Sequence, residues 1–226
     1  MITIIDYDAG NLRSVANAFE KAGAECIVTD DENTILKSTA VVLPGVGAFS
    51  DCMESLKQKG MDKVVQKCID MDKPFLGICL GFQLLFEESE EHEDGLPDVR
   101  GLGIFKGKVK RFPKELGLKI PHMGWNSLSY PKSCPLFSDL PVNIFTQQIE
   151  PSTKCTDNEE AYLYFVHSYY VEASDRSIVS ARCEYGLEFD AAISKGNIYA
   201  VQFHPEKSGQ VGAAIIKNFL KVVYGS

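Results

Sequence analysis

The stretch Lys73-Pro74-Phe75-Leu76-Gly77-Ile78-Cys79-Leu80-Gly81-Phe82-Gln83 decides how the chain is read. Pro74 to Ile78 is a short apolar run of the kind a buried strand uses. Leu80-Gly81-Phe82-Gln83-Leu84-Leu85-Phe86 reads as the first turns of a helix. Cys79 sits at the join, with Gly77 and Gly81 flanking it. A strand that turns straight into a helix forces its corner residue into a tight backbone conformation. Glycines on either side remove the β-carbons that would collide there. The corner side chain then projects from the sheet near a helix N-terminus, whose partial positive charge favours thiolate over thiol. This is a nucleophile elbow with sulfur in place of oxygen. A lone cysteine beside an apolar run is equally the pattern of a small core residue. The rest of the chain must therefore supply a base.

Composition narrows the classes available. The chain has 226 residues, 45% hydrophobic and 24% charged, which is ordinary for a globular protein with a sizeable core. A net charge of −8 argues against nucleic acid or an anionic membrane as partner. No apolar run approaches membrane-spanning length. Met1-Ile-Thr-Ile-Ile-Asp6 reads as a strand and lacks the basic head and long apolar body of a signal peptide. Seven scattered cysteines with no CxxC pair fit reduced thiols in a cytoplasmic protein. No metal site and no cofactor is expected.

Outward from the elbow, strands alternate with helices. Ile2 to Ile5 is an apolar strand followed by the turn Asp6–Asn11. Leu12, Val15, Ala16 and Phe19 then recur at helical spacing, with Gly23 as a stop. Cys26–Val28 and Ala40–Leu43 are further strands, the second running into Pro44-Gly45-Val46-Gly47. Helices are expected near Ala48–Lys59 and Met61–Met71. This alternation predicts a parallel sheet covered on both faces. The Gly45/Gly47 loop leaves a strand's carboxyl end, the edge where open α/β sheets bind ligands, although a simple tight turn has the same composition. The acidic run Glu87 to Asp94 reads as a solvated loop.

Beyond Lys108 the pattern shortens. Lys108–Arg111, Lys119–Met123 and Ser127–Tyr130 read as strands, Cys134–Leu140 as a loop or short helix, and Gln148–Glu160 as an exposed insertion. Ala161–His167, Ser177–Cys183, Glu188–Ser194 and Asn197–Phe203 are β-prone, with Lys195-Gly196-Asn197 as a hairpin turn. Ser208 to Val223 closes the chain as a helix with Val211, Ile215, Phe219 and Leu220 on its buried face. With no repeat or linker, residues 1–226 are expected to form one α/β domain: a mixed, largely parallel central sheet flanked by helices, plus additional strands.

The base comes from Gln202-Phe203-His204-Pro205-Glu206, at the end of an apolar strand. Side chains two apart in extended structure point the same way, and Pro205 biases His204 toward extended geometry. A carboxylate beside an imidazole fixes its tautomer and supports the imidazolium formed when it takes a thiol proton. Cys79, His204 and Glu206 thus carry the chemistry of an acyl-transfer triad. A surface turn would also explain His-Pro-Glu on its own.

Together, Gly77-Ile-Cys79-Leu-Gly81-Phe-Gln83 and His204-Pro-Glu206 resemble the class I (triad) glutamine amidotransferases, over nearly the whole chain. Further motifs are Asp6-Tyr7-x-x-Gly10-Asn11, Pro44-Gly45-Val46-Gly47, Pro121-His-Met-Gly-Trp125-Asn126, Tyr164-Phe-Val-His-Ser-Tyr-Tyr170 and Lys207-Ser208. These are similar to the glutaminase subunits of imidazole glycerol phosphate synthase within that family.

The resemblance implies that Cys79 attacks the side-chain amide of L-glutamine. It implies that His204 protonates the departing ammonia and then activates water, with Glu206 orienting His204. The oxyanion would be held by the Leu80 N–H and by a donor from the Gly45–Gly47 loop, Gly47 included. In that family the loop is thought to rearrange before it can donate. Gln83, and the backbone at Gly47, Ser168 and Tyr169, would hold the substrate. Ammonia would pass to a (β/α)8-barrel cyclase subunit in a heterodimer, giving imidazole glycerol phosphate and an aminoimidazole carboxamide ribotide. Asn11, Trp125, Tyr164 and Lys207 match positions near that subunit interface. A Trp in a Gly-Trp-Asn turn is equally suited to a core.

Four features depart from the family's pattern or lie outside its chemistry. Asp8 stands where glycine is common, Phe82 replaces a methionine, Gln148–Glu160 is long, and His122 has no assigned chemistry. Two other readings remain: an amidotransferase subunit serving anthranilate, pyridoxal phosphate or purine synthesis, and a non-catalytic protein with Cys79 as a redox sensor.

Overall fold

The structure, a computed structural model, describes residues 1–91, 97–140 and 161–225. The first half builds a parallel sheet from β1 (Ile2–Ile5), β2 (Cys26–Thr29), β3 (Ala40–Gly45) and β4 (Phe75–Cys79). Between them lie α1 (Leu12–Lys21), α2 (Glu32–Lys37), α3 (Phe49–Gln58) and α4 (Met61–Asp70). The short helix α2 escapes the periodicity of the sequence. It is capped by Asp31, whose carboxylate accepts the Thr34 N–H at 2.8 Å.

Alternate strand residues supply two cores, one on each face of the sheet. Ile2, Ile4, Val42, Leu76 and Ile78 pack on one side with α1 and the C-terminal helix α6 (Gly209–Tyr224). Ile5, Val41, Leu43 and Phe75 pack on the other with α2, α3 and α4. Val211, Ile215, Phe219 and Leu220 of α6 are buried, as their spacing predicts.

The elbow helix α5 (Leu80–Gln83) is only one turn long. The expected helix through Phe86 is therefore corrected: the chain turns at Leu84–Leu85 and enters β5 (Phe86–Ser89). The carbonyls of Leu84 and Leu85 accept the N–H groups of Leu102 and Phe105 at 2.8 and 3.0 Å, which draws the chain into the sheet.

The acidic run is corrected too. Glu87 to Ser89 lie in β5, and Ser89 is fully buried. The strand pairs parallel to β7 (Phe105–Arg111), whose Lys108 meets Glu90 at 3.4 Å. The remainder of the run lies outside the described residues in part, and the Gln148–Glu160 segment does so entirely.

The expected strands Lys119–Met123 and Ser127–Tyr130 are replaced by one strand, β8 (His122–Ser127). It runs through Gly124-Trp125-Asn126 and pairs antiparallel with β9 (Tyr162–His167). Gly124 takes a φ of +141°, which a glycine accepts, so the extended pairing continues where a turn was expected.

The rest of the main sheet comes from β6 (Val99–Arg100), β10 (Tyr169–Ala173), β11 (Val179–Glu184), β12 (Glu188–Lys195) and β13 (Ile198–Val201). Among the described residues its order is β2-β1-β3-β4-β13-β12-β10-β7-β5-β6, with β11 on β12. The hairpin of β12 and β13 turns at Gly196, φ +56°.

Three neighbours in this order position the site. β3, β4 and β13 run parallel, with Gly45 opposite Cys79 and Val201 opposite Ile78. The segments leaving their carboxyl ends therefore converge at one edge, although Cys79 and His204 are far apart in sequence.

The corner itself depends on close backbone approach. A β-carbon on Gly81 would lie 1.9 Å from the Leu43 carbonyl oxygen, and one on Gly77 2.9 Å from the Gly81 oxygen. We expect Gly81→Ala to lower unfolding free energy by at least about 2 kcal/mol, since the obstacle is backbone and cannot rotate away. Urea denaturation of the purified variant measures this.

Candidate active site

Cys79 adopts φ 54° and ψ −109°, a region non-glycine residues rarely occupy. Such strain persists only where the surroundings over-determine it. Here β4, α5 and the Leu43 carbonyl do so. The side chain is nearly buried and opens onto a cavity of about 280 Å³. Val46, Gly47, Leu80, Gln83, Glu91, His167, Ser168, Tyr169 and His204 line that cavity with it.

His204 follows β13 in extended conformation, φ −103° and ψ 95°, and Pro205 opens a 3-10 turn, Pro205–Lys207. His204 Nδ1 lies 2.8 Å from Glu206 Oε1, both side chains 2% exposed. The carboxylate accepts, so Nδ1 carries the proton and Nε2 is directed at the cavity side of the ring. Nε2 is buried and lies outside ordinary hydrogen-bond geometry to any group among the described residues. Burial alone would pull the His204 pKa down. Hydrogen bonding and charge from Cys79 and Glu206 overcome it and raise the value to about 9. The arrangement can hold a thiolate–imidazolium pair, the reactive form of a cysteine nucleophile.

The main chain of His204 is anchored to β9. Its N–H donates to the Tyr164 carbonyl at 2.9 Å. Ser208 Oγ donates to the His204 carbonyl at 2.6 Å and accepts the Tyr164 N–H at 3.0 Å.

Tyr164 faces Trp125 across the β8–β9 pair, their rings 5.9 Å apart and edge-on. Lys207 Nζ lies 5.8 Å from the centre of the Tyr164 ring. Trp125 is 43% exposed and Met123 57%. The structure thus gathers Trp125, Tyr164 and Lys207 into one patch whose backbone is tied to His204. Asn11 comes from a different element. It precedes α1, and a β-carbon added at its neighbour Gly10 would touch Pro44 and Gly45. Asp8 takes φ 65°, which explains why glycine suits that position, and its carboxylate meets Lys59 at 2.8 Å. Phe82 is fully buried, edge-on to Phe86 at 5.5 Å.

Several residues at the site are not singled out by the sequence reading. Glu91 lines the cavity from within the acidic run. It accepts the Phe49 N–H at 2.9 Å, and burial pushes its carboxyl above the ordinary range. Tyr7 donates to the Pro44 carbonyl at 2.7 Å, and Cys52 to the Val46 carbonyl at 3.4 Å, so the Pro44–Gly45 and Val46–Gly47 peptides of the loop are held. The sequence carries two signals: Tyr7 falls inside the Asp6–Asn11 motif, and Gln202 is a polar residue in an apolar strand end, two before His204.

His122 and His167 form a buried pair at 3.0 Å, opposite each other in the β8–β9 register. His167 Nδ1 lies 2.8 Å from the Tyr169 carbonyl, which can only accept. His167 Nδ1 therefore carries the proton, Nε2 accepts from His122 Nδ1, and His122 Nε2 faces the Asn126 amide at 3.4 Å. One carbonyl fixes both tautomers. Burial lowers the two pKa values to about 4 for His122 and about 3 for His167, so both are neutral.

A family model described as glutamine amidotransferase class-I matches residues 3–223. The chain belongs to the class-I glutamine amidotransferases. Among its curated relatives, "Imidazole glycerol phosphate synthase subunit HisH" of Geobacter sulfurreducens is 47% identical over 223 residues, covering 96% of this chain and 97% of the relative. "Imidazole glycerol phosphate synthase subunit HisH 1" of Methanococcus maripaludis is 44% identical, covering 99% and 100%. A solved "PurLQS" structure from Thermotoga maritima is 18% identical with a TM-score of 0.69, covering 98% of each chain. A solved glutamine amidotransferase, also from Thermotoga maritima, is 14% identical with a TM-score of 0.63, covering 100% and 98%. These two likenesses concern the fold. Among the described residues of this amidotransferase, no cluster of His, Cys, Asp and Glu could hold a metal ion, and the six cysteines are free.

The histidines have opposite effects on stability. His204, raised above its ordinary 6.5, stabilises the fold fully below that pH, and the contribution is lost as pH rises through about 9. His122 and His167 are lowered, so the unfolded chain binds protons that the folded one refuses once pH falls below 6.5. We expect unfolding free energy to fall from pH 6.5 toward 4. We expect a shallower slope in His122→Phe, by up to about 1.4 kcal/mol per pH unit. Denaturant titrations at several pH values measure the difference.

Proposed function

We propose that this amidotransferase is the glutaminase subunit of an imidazole glycerol phosphate synthase in histidine biosynthesis, with residues 1–226 acting as one domain. It hydrolyses glutamine to glutamate and ammonia and passes the ammonia to a cyclase partner. The observation that carries the reading is the convergence of Cys79 and His204 on one cavity at the shared edge of β4 and β13, with Glu206 bonded to the far nitrogen of His204. Full-length relatives that bear the synthase subunit's name support the assignment.

In this account glutamine enters with its amide carbon against Cys79. Three features fit its amino-acid end. The Gln83 amide spends both N–H groups on Tyr169 O and Gln202 Oε1, at 2.9 Å each, which leaves its oxygen as an acceptor. The Glu91 carboxylate faces the same cavity and suits an ammonium group. Backbone groups of Gly47, Ser168 and Tyr169 complete the binding wall.

The Cys79 thiolate attacks the amide carbon. The C–S bond forms as the C=O π electrons move to oxygen. The Leu80 N–H and a donor from the Gly47 loop hold the oxyanion. As the intermediate collapses, the C–N bond breaks and the His204 proton goes to nitrogen, so ammonia leaves and a γ-glutamyl thioester remains. His204, now neutral, takes a proton from water as its oxygen attacks the thioester. Glutamate leaves, and the thiolate–imidazolium pair is restored. Glu206 keeps the imidazole in register throughout.

The partner is a (β/α)8-barrel cyclase subunit, bound as a heterodimer over Trp125, Tyr164 and Lys207, with Asn11 near its edge. Tryptophan is a frequent interface anchor. The backbone tie between Tyr164 and His204 gives partner docking a short route to the base. The braces from Tyr7 and Cys52 make the Gly45 loop the part that must shift before it donates. The complex works in the cytoplasm.

Glutamate release should be low for the chain alone and rise strongly with a cyclase subunit carrying its ribotide ligand. Cys79→Ala should abolish it; full activity without the partner would sink the gated-loop account. Activity should decline as pH rises through about 9, because the imidazolium that protonates ammonia is lost. Glu206→Gln removes a group that raises His204, so that alkaline limb should move to lower pH, with kcat reduced by about 10²-fold. In a binding titration, Trp125→Ala should weaken partner affinity by about tenfold or more.

A further inference from the structure

The cavity wall behind Cys79 contains a chain of amides whose direction is fixed. Gln202 is fully buried, and its Nε2 lies 3.8 Å from Cys79 Sγ. Its Oε1 lies 2.9 Å from Gln83 Nε2. Gln83 Nε2 is also 2.9 Å from the Tyr169 carbonyl oxygen, which receives His167 Nδ1 at 2.8 Å on another side. A side-chain amide can be built either way round, so its orientation must follow from its partners. Here a main-chain carbonyl decides. Tyr169 O can only accept, so the nitrogen of Gln83 faces it. The second hydrogen on that nitrogen meets Gln202, which must therefore present oxygen. Reversing Gln202 would set two NH2 groups against each other at 2.9 Å. The nitrogen of Gln202 is left facing the sulfur.

We propose that Gln202 is a further catalytic residue, an amide donor held permanently on the Cys79 sulfur by the Tyr169–Gln83 chain. The idea rests on the glutaminase reading, and it adds a group that stabilises the thiolate independently of His204. The need is physical. His204 surrenders its proton to ammonia while the sulfur is bonded to carbon, so the acyl-enzyme begins its breakdown with no positive charge beside the sulfur. When the thioester later breaks, the sulfur must leave as thiolate while His204 is regaining its proton from water. A neutral donor that cannot be transferred remains on the sulfur through both steps. It also restricts the rotamer of Sγ, which lies 4.0 Å from the Val166 carbonyl as well. Gln83 then has two tasks: its oxygen faces substrate, and its nitrogen locks Gln202.

The test reads Cys79 itself and needs no turnover, so its failure is separable from failure of the glutaminase reading. Iodoacetamide alkylation of Cys79 is followed by mass spectrometry of its peptide across pH, in wild type, Gln202→Met and Gln202→Leu. Loss of one donor to a charged acceptor should move the pH of half-maximal alkylation up by about one unit. It should slow alkylation at pH 7 several-fold. Unchanged midpoints in folded variants would overturn the proposal.

Side-chain amide NMR of the wild-type chain provides a measurement that does not depend on variant folding. One glutamine NH2 pair should shift with the midpoint found by alkylation, and that shift should vanish in Cys79→Ala. If no glutamine amide follows Cys79, Gln202 is only a packing residue and the proposal falls.

Discussion

The structure depends on the contact between Gly81 and the carbonyl of Leu43. It lets the one-turn helix α5 lie against the end of β3, which forces the chain to reverse at Cys79 and holds that residue at positive φ. The same contact brings the Gly45–Gly47 loop beside the sulfur. Parallel pairing of β3, β4 and β13 then adds His204 at the same edge. The reactive group comes from a corner, its base from a neighbouring strand end, and the surrounding loop from a third strand.

Around this corner the polar groups are ordered by single acceptors. The Tyr169 carbonyl directs Gln83 and Gln202 on one side and His167 and His122 on the other. Glu206 directs His204. Because each network ends on a group that can only accept, tautomers and amide orientations have one solution. Buried polar chains of this kind are costly when partly satisfied and rigid when complete. His122 and His167 share the β8–β9 pair with Trp125 and Tyr164, and Gln202 meets Cys79, so a partner on the Trp125 patch would act on a stiff framework with one braced, glycine-containing loop.

Much of this was legible in the sequence because it is local. Gly-x-Cys-x-Gly, apolar strand runs and His-Pro-Glu each state their geometry within a few residues, and the α/β architecture followed from their alternation. The comparisons place the chain in the family that these motifs resemble. What stayed hidden is non-local. Glu87 to Ser89 read as solvated because of their charge, yet backbone pairing with β7 holds them in the sheet. Gly124-Trp125-Asn126 read as a turn, yet β9 keeps it extended. The length of α5 is set by Leu102 and Phe105, which no periodicity near Cys79 reveals. Glu91 and the His122–His167 pair acquire meaning only through partners distant in sequence.

The central claim is that Cys79 is an activated nucleophile in a pocket shaped for glutamine. The most direct measurement is covalent labelling of the chain by a glutamine-mimicking electrophile, with and without glutamine, followed by peptide mapping. The account predicts one adduct, on Cys79, formed more slowly as glutamine is added and more slowly in Glu206→Gln. Labelling spread over the other cysteines, or labelling of Cys79 that glutamine does not slow, would contradict it.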